Sequence, residues 1–178
     1  MRIMIASDIH GRVEPCKRLL ELFEQEKADK LLLLGDLLYH GPRNGIPSGY
    51  DPTEVIDLLN GMKDKIWAVR GNCDAEVDQM VLDFSITADY MNFMSGDVEI
   101  FATHGHLYNP QNPPKGLNEG AILVTGHTHV TCDKIIPEEV THKSFRYMNP
   151  GSVSLPKENT TPSYIIVDDG KVCMKPLN

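Results

Sequence analysis

Residues 2–11 read RIMIASDIHG: an apolar strand over 2–7 that runs straight into Asp8, His10 and Gly11. The segments downstream fix its setting. Residues 13–27 carry Leu19, Leu20, Leu22 and Phe23 at helical spacing, the mark of an amphipathic helix. A second apolar strand, LLLL over 31–34, ends at Gly35-Asp36. A helix is predicted over 52–60, with Asp51 as its cap and Pro52 at its first position. A third strand over 66–70 ends at Gly71-Asn72. Strand, helix, strand, helix, strand in short succession predicts a parallel sheet with helices against its faces.

The second half changes rhythm. Residues 90–94 and 98–103 flank a Ser95-Gly96-Asp97 turn and read as a hairpin, and 121–125 is another buried strand. Shorter strands are predicted over 131–136, 144–148, 163–167 and 172–175, the last two joined by Asp168-Asp169-Gly170. The expected architecture is α/β: two packed sheets with helices outside, in one domain over 1–178. Trp67, Met91 and Met94 lie on strands among apolar neighbours, so core packing explains them. Two loops, 39–50 and 106–116, are rich in Gly, Pro and Asn. Each could serve a site or merely connect.

Composition narrows the class. The chain has 178 residues, 41% of them hydrophobic and 24% charged, ordinary for a soluble globule. Its net charge of −8 opposes broad adhesion to nucleic acid or anionic membrane. Cys16, Cys73, Cys132 and Cys173 have no zinc-finger or CxxC spacing. Without a signal sequence or a long apolar run, a reducing, cytoplasmic setting is expected, with no membrane partner. Neither a GxGxxG or GxxxxGK[ST] phosphate cradle nor a GxSxG elbow is present.

The informative pattern is where the polar residues fall. Asp8 and His10 follow the first strand, Asp36 the second and Asn72 the third; His104 follows the hairpin, and His127 and His129 follow 121–125. Ligands of open α/β sheets gather beyond the carboxyl ends of parallel strands. Each motif alone is an ordinary turn, but packing does not explain so many apolar segments ending beside Asp, His or Asn. Carboxylate, imidazole and amide oxygen donors suit divalent Mn, Fe or Zn better than copper or an iron–sulfur cluster. Two such ions can activate water and hold phosphoryl oxygens, so hydrolysis needs no side-chain nucleophile.

Asp8-Ile9-His10, Gly35-Asp36, Gly71-Asn72-Cys73-Asp74, His104-Gly105 and Gly126-His127-Thr128-His129 resemble, in order and over nearly the whole chain, the calcineurin-like metallophosphoesterase superfamily. The resemblance implies a four-layer α/β/β/α sandwich of two mixed sheets flanked by helices. It implies one ion held by Asp8, His10 and His129, a second held by Asn72, His104 and His127, and Asp36 bridging both. The ions would be two divalent metals, Mn2+ first among them and Zn2+, Fe2+ or Ni2+ as alternatives. The reaction would be attack of a metal-bridging hydroxide on a small phosphodiester, and acid would release metal and activity together.

The chain departs from the family at Cys73, where many members have His; a thiol is a poorer proton shuttle. Cys73 could contact substrate, tune Asn72 or fill space. Asp74 could orient the site or cap a helix starting at Ala75. His106 could act as an acid or phosphate donor, making Cys73, Asp74 and His106 the candidate catalytic residues. Arg12, His40 and Arg43 are candidate phosphate contacts, although exposed cations usually need no such purpose. Asn149-Pro150-Gly151-Ser152 reads as a tight turn near the metal-bearing ends.

Diester hydrolysis is the leading expectation, monoester hydrolysis the alternative, and a non-catalytic interaction scaffold of the same fold the rival from another class. The complete ligand set favours an enzyme. Long nucleic acid is not an expected substrate, and a homodimer through an apolar edge of the second sheet is compatible with the sequence.

Overall fold

The computed structural model describes residues 1–137 and 143–178. Strands β1 (Arg2–Ala6), β2 (Lys30–Leu33), β3 (Ile66–Ala68), β9 (Ser163–Asp168) and β10 (Lys171–Pro176) form a five-stranded sheet in the order β10-β9-β1-β2-β3. Strands β4 (Tyr90–Ser95), β5 (Val98–Thr103), β6 (Ile122–Val124), β7 (Thr131–Ile136) and β8 (Phe145–Pro150) form a second five-stranded sheet, β4-β5-β6-β8-β7. Each sheet is mixed. β1, β2 and β3 run parallel, as do β5, β6 and β8, while β9, β10, β4 and β7 pair antiparallel.

Period-two alternation builds the layers. Met4, Ala6, Leu31, Leu33 and Ile166 face helices α1 (Val13–Gln25) and α2 (Pro52–Asn60). Their neighbours Ile3, Ile5, Leu32, Leu34 and Ile165 turn the other way, onto Ile100, Ala102, Ile122, Val124 and Met148 of the second sheet. Helix α1 buries Val13, Cys16, Leu19, Leu22 and Phe23 along one stripe, each burial of a large apolar side chain being worth roughly 1.5–3 kcal/mol. It stops at Gln25, short of the expected 27, because Lys27 takes φ 51° and turns the chain so that Ala28 is buried. Helix α2 keeps its expected bounds, with Asp51 accepting from the Glu54 N–H at 3.1 Å and Pro52 in its first turn.

The fold is therefore an α/β sandwich of two mixed sheets flanked by helices, as expected. On the outer face of the second sheet the covering layer is irregular: Tyr108 and Leu117 pack over Phe101, Leu123, Phe145 and Tyr147. Pro110, Pro113 and Pro114 keep that segment from coiling. Core packing holds for Trp67 and Met91, which are partly buried between the sheets. It fails for Met94, which is 59% exposed because β4 is an edge strand and the side chain lies on its open face. No helix among the described residues is long and apolar enough to cross a membrane.

Candidate metal centre

The carboxyl ends of β1, β2, β3, β5 and β6 open onto one edge of the sandwich, and the polar loops that leave them are tied to one another. The β1 and β2 loops stay paired past their strands: His10 N–H donates to Asp36 O at 2.9 Å and Gly11 N–H to Leu37 O at 2.9 Å. Within the second sheet, Gly126 N–H donates to His104 O at 2.8 Å, and across the sheets His127 N–H donates to Asp8 Oδ2 at 3.0 Å. The backbone is held in an uncommon state there. Asp8, His10, Asp36, His127 and His129 all have φ between 51° and 66°. Left-handed conformations in non-glycine residues cost energy, persist only where surrounding structure enforces them, and gather at functional sites.

The side chains converge. His129 Nε2 lies 3.2 Å and His10 Nε2 3.5 Å from Asp8 Oδ1, and the two imidazole nitrogens are 3.1 Å apart. Asp36 Oδ2 stands between both halves, 3.7 Å from His10 Nε2 and 3.4 Å from His104 Nε2. His104 Nε2 is also 3.0 Å from Asn72 Oδ1. His127 is half-buried and brings its ring centroid within 5.1 Å of that of His104. Two of the groups able to hold an ion are Asp8 with His10 and His129, and Asp8 with Asp36 and His104.

These atoms fit a cation. The Nδ1 atoms of His10, His104 and His129 bond the carbonyl oxygens of Tyr39, Leu34 and Leu155 at 2.7, 2.8 and 2.7 Å. A carbonyl only accepts, so each Nδ1 carries the proton and each Nε2 turns inward, the tautomer a ligating imidazole needs. Asp8 Oδ1 is buried yet has no well-aligned hydrogen-bond partner. Around a cation with bonds of about 2.1 Å, neighbouring ligand atoms sit about 3.0–3.4 Å apart. The spacings above lie in or near that range.

A buried framework holds the cluster. Asp74 is not a helix cap: Ala75 occupies that place before α3 (Glu76–Gln79), and the Asp74 carboxylate accepts the N–H groups of Asp36, Leu37 and Gly71 at 2.9, 2.9 and 2.7 Å. These bonds tether the backbone of Asp36 and Leu37 to that of Gly71. Cys73 N–H donates to Asp36 Oδ1 at 2.8 Å and so orients the carboxylate itself. The 149–152 turn stands where expected. Asn149 Nδ2 donates to Gly126 O at 2.8 Å, and the Ser152 and Ser154 hydroxyls donate to Asp8 O at 2.7 and 2.9 Å. Gly126 is required by close approach, since a Cβ there would meet Ser7 Oγ and Asp8 Oδ2.

Electrostatics follows from crowding. Burial alone would raise the Asp8 carboxyl, but the imidazoles of His10, His129 and His104 outweigh it and hold Asp8 well below the usual range. Burial would lower His104; the Asp36 and Asp8 carboxylates reverse this and raise it to about 9. Burial, then Asp36, pushes the Cys73 thiol up to about 12. His106, lowered first by burial and then by His104, sits with its ring centroid 5.4 Å from that of His104, and its buried Nδ1 has no partner.

A cleft of about 280 Å3 opens over the cluster and exposes His10, Asp36, Asn72, Cys73, His127 and His129, with Arg43 at its rim. The 39–50 loop thus serves the site. Arg12 and His40 do not line the cleft. The Arg12 guanidinium instead ties Ser48 O to Ser154 O, and the His40 ring packs between Tyr39 and Tyr50 at 4.6 and 5.2 Å. Both are candidate phosphate contacts by charge and by their place near the ligand motifs, and tertiary packing employs them elsewhere. Three contributors escaped the sequence reading: Ser7 and Ser154, which brace Asp8 at 2.5 and 2.9 Å, and Lys157, which lines the cleft. Only the serines, flanking or following recognised motifs, left any signal.

The superfamily profile described as the calcineurin-like phosphoesterase superfamily domain matches residues 1–171, and the chain belongs to that superfamily. Its fold and Asp/His cluster are those of a metal-dependent hydrolase. It is similar to phosphodiesterase YfcE of Escherichia coli K12, 46% identical over 178 residues, which are 100% of this chain and 93% of that protein. The solved structure of E. coli YfcE, described as a phosphoesterase, superposes with a TM-score of 0.88 at 43% identity, covering 100% of both chains. A solved archaeal phosphodiesterase superposes with a TM-score of 0.66 at 20% identity, over 99% of each chain; at that identity the likeness is one of fold.

Proposed function

We propose that this chain is a phosphodiesterase that hydrolyses a small phosphodiester at a site for two divalent cations. The observation that carries the reading is the inward convergence of His10, His104 and His129 Nε2 on Asp8 and Asp36, with every Nδ1 locked to a carbonyl. Whole-length similarity to a phosphodiesterase supports the diester. Asp8, His10 and His129 would hold one ion, Asn72, His104 and His127 the other, and Asp36 both. Mixed oxygen and nitrogen donors support Mn2+. When bound, such ions lower the pKa of an attacking water and offset charge on the phosphoryl oxygens.

The chain's own groups orient and move protons. Asp74 holds the Asp36 backbone N–H, and the Cys73 N–H orients the Asp36 carboxylate. His106, lowered by burial and by His104, is neutral near pH 7; its ring packs beside that of His104 outside the lining of the cleft, where it would position that ligand rather than touch substrate. The Cys73 thiol, pushed up to about 12, stays protonated at the same pH and serves as a donor rather than a nucleophile. Free thiols at Cys16, Cys73, Cys132 and Cys173 support a reducing, cytoplasmic setting.

The test is hydrolysis of bis(4-nitrophenyl) phosphate by metal-stripped protein reloaded with Mn2+, beside Asp36→Asn protein and the 4-nitrophenyl monoester. Mn2+-dependent turnover, lost in Asp36→Asn and faster on the diester, supports the assignment. Faster turnover of the monoester transfers it to a phosphomonoesterase. No turnover of either ester with both ions bound leaves an interaction scaffold.

A further inference from the structure

On an acidic chain, the rim of the catalytic cleft is basic. Two cations line it from unrelated segments: Arg43 in the loop after β2 and Lys157 in the loop after β8. Arg2, Arg70, Arg146 and Lys175 each reach an acid at 2.6 to 3.3 Å. Neither Arg43 nor Lys157 has an acidic partner within ion-pair distance among the described residues.

Both backbones are tied to the site. Lys157 N–H donates to His129 O at 3.0 Å, His129 Nδ1 bonds Leu155 O at 2.7 Å, and the Thr160 hydroxyl donates to Lys157 O at 2.8 Å. The loop therefore moves with His129. Around Arg43, Asn44 N–H donates to Gly41 O at 3.2 Å and its side-chain amide to His40 O at 2.8 Å. A Cβ on Gly41 would lie 3.7 Å from Cys73 Sγ, which seats this turn on the cleft wall. Among the described residues, no Phe, Tyr or Trp lines the cleft, and Asp36 is the one carboxylate of its lining. A nucleobase would find no Phe, Tyr or Trp ring to stack on, and a cationic headgroup would meet two like charges.

We propose that Arg43 and Lys157 form an anion-binding rim that selects phosphodiesters whose second substituent is itself negatively charged, a carboxylate or a further phosphate. The inference rests on the phosphodiesterase reading of the site. The cluster engages the scissile phosphoryl group, and the rim engages the charge carried on the far ester arm.

The experiment uses three 4-nitrophenyl phosphodiesters that share a leaving group and differ in the second substituent: methyl, 2-carboxyethyl or choline. With Mn2+-loaded protein, kcat/KM should favour the carboxyethyl ester over the choline ester by about tenfold or more, chiefly through KM. Lys157→Ala should cut the ratio of carboxyethyl to methyl kcat/KM about tenfold, Lys157→Arg should restore it, and Lys157→Glu should turn the preference toward choline. Arg43→Glu should act in the same direction. Equal kcat/KM for the three esters, or variants that scale all three alike, would overturn the rim. Calorimetry of propylphosphonate against 3-phosphonopropionate reads the rim without turnover. Tighter binding of the carboxylated member, lost in Lys157→Glu, sustains the rim even where no ester is cleaved; equal binding overturns it whatever the enzyme hydrolyses.

Discussion

His10 Nε2 and His129 Nε2 face each other at 3.1 Å, although the two residues are 119 positions apart in the chain. Their Nδ1 protons are committed to carbonyl oxygens, so the facing lone pairs repel unless a proton or a cation joins them. Divalent metal should therefore stabilise the fold. An ion at a hundred times its Kd contributes about 2.7 kcal/mol, which for a chain of this size raises Tm by roughly 5–10 °C. Calorimetry of stripped protein titrated with Mn2+ checks this, and His129→Ala should lose most of the shift. A Tm indifferent to Mn2+ would count against the centre.

Asp74 holds three backbone N–H groups in a buried place, 4% exposed. Asp74→Asn presents an amide to one of those donors and should destabilise the fold by about 1–3 kcal/mol. Mn2+ affinity should fall as well, because Asp36 loses its anchor. Urea denaturation and metal titration read the two effects separately; a simple helix cap would lower only the first.

Gly126 lies against Ser7 and Asp8, and a Cβ there would come within 2.6 Å of Asp8 Oδ2. Gly126→Ala should cost about 1–3 kcal/mol, as overpacking does, and should weaken metal binding by displacing Asp8. Gly45→Ala is the matched control, since its φ is not positive and a Cβ there meets nothing within 4 Å. It should leave metal binding intact, and comparable metal loss in both proteins would refute the steric account.

Glu26 sits where α1 meets the first sheet. It is bonded by Arg2 Nη2 at 2.6 Å, Lys175 Nζ at 2.7 Å and Tyr164 OH at 2.9 Å. Burial would raise its carboxyl, but Lys175, Arg2 and Tyr164 together lower it from 4.5 to about 2. A folded-state pKa below the unfolded one contributes stability that is fully present above pH 4.5 and lost as pH falls toward 2. Glu26→Gln should be less stable than the parent at pH 7 by on the order of 1–2 kcal/mol. The gap should close across that acid window. Denaturation curves at stepped pH decide it; a gap that persists at pH 2 would contradict the assignment.

Much of the fold is written locally. Runs such as RIMIAS and LLLL alternate sides with period two whatever they pack against, and Asp51-Pro52 starts a helix with its own side chain. The ends of those runs also located the candidate ligands, since Asp8, His10, Asp36, Asn72, His104, His127 and His129 each follow a strand. What the sequence left open, and the one misreading, share a cause. Asp74 could be a cap or an anchor, Arg12 and His40 could meet phosphate or serve no site, and Met94 reads as core, because a sequence shows a side chain's chemistry and neighbours but not its distant partners.

The sequence by itself thus determined the strand order along the chain, the helices and the residue types gathered at one edge, all of them products of short-range periodicity and turn chemistry. Tertiary structure alone decided which atoms meet. Leu155 O sets the His129 tautomer from 26 positions away, Ser154 braces Asp8 from 146 away, and five ligand candidates are held at positive φ. Lys157 reaches the cleft for the same reason: its loop is fastened to His129 rather than to its neighbours in sequence. Local propensity cannot encode such contacts, because their energy exists only once the two sheets have packed and closed the distance between their strand ends.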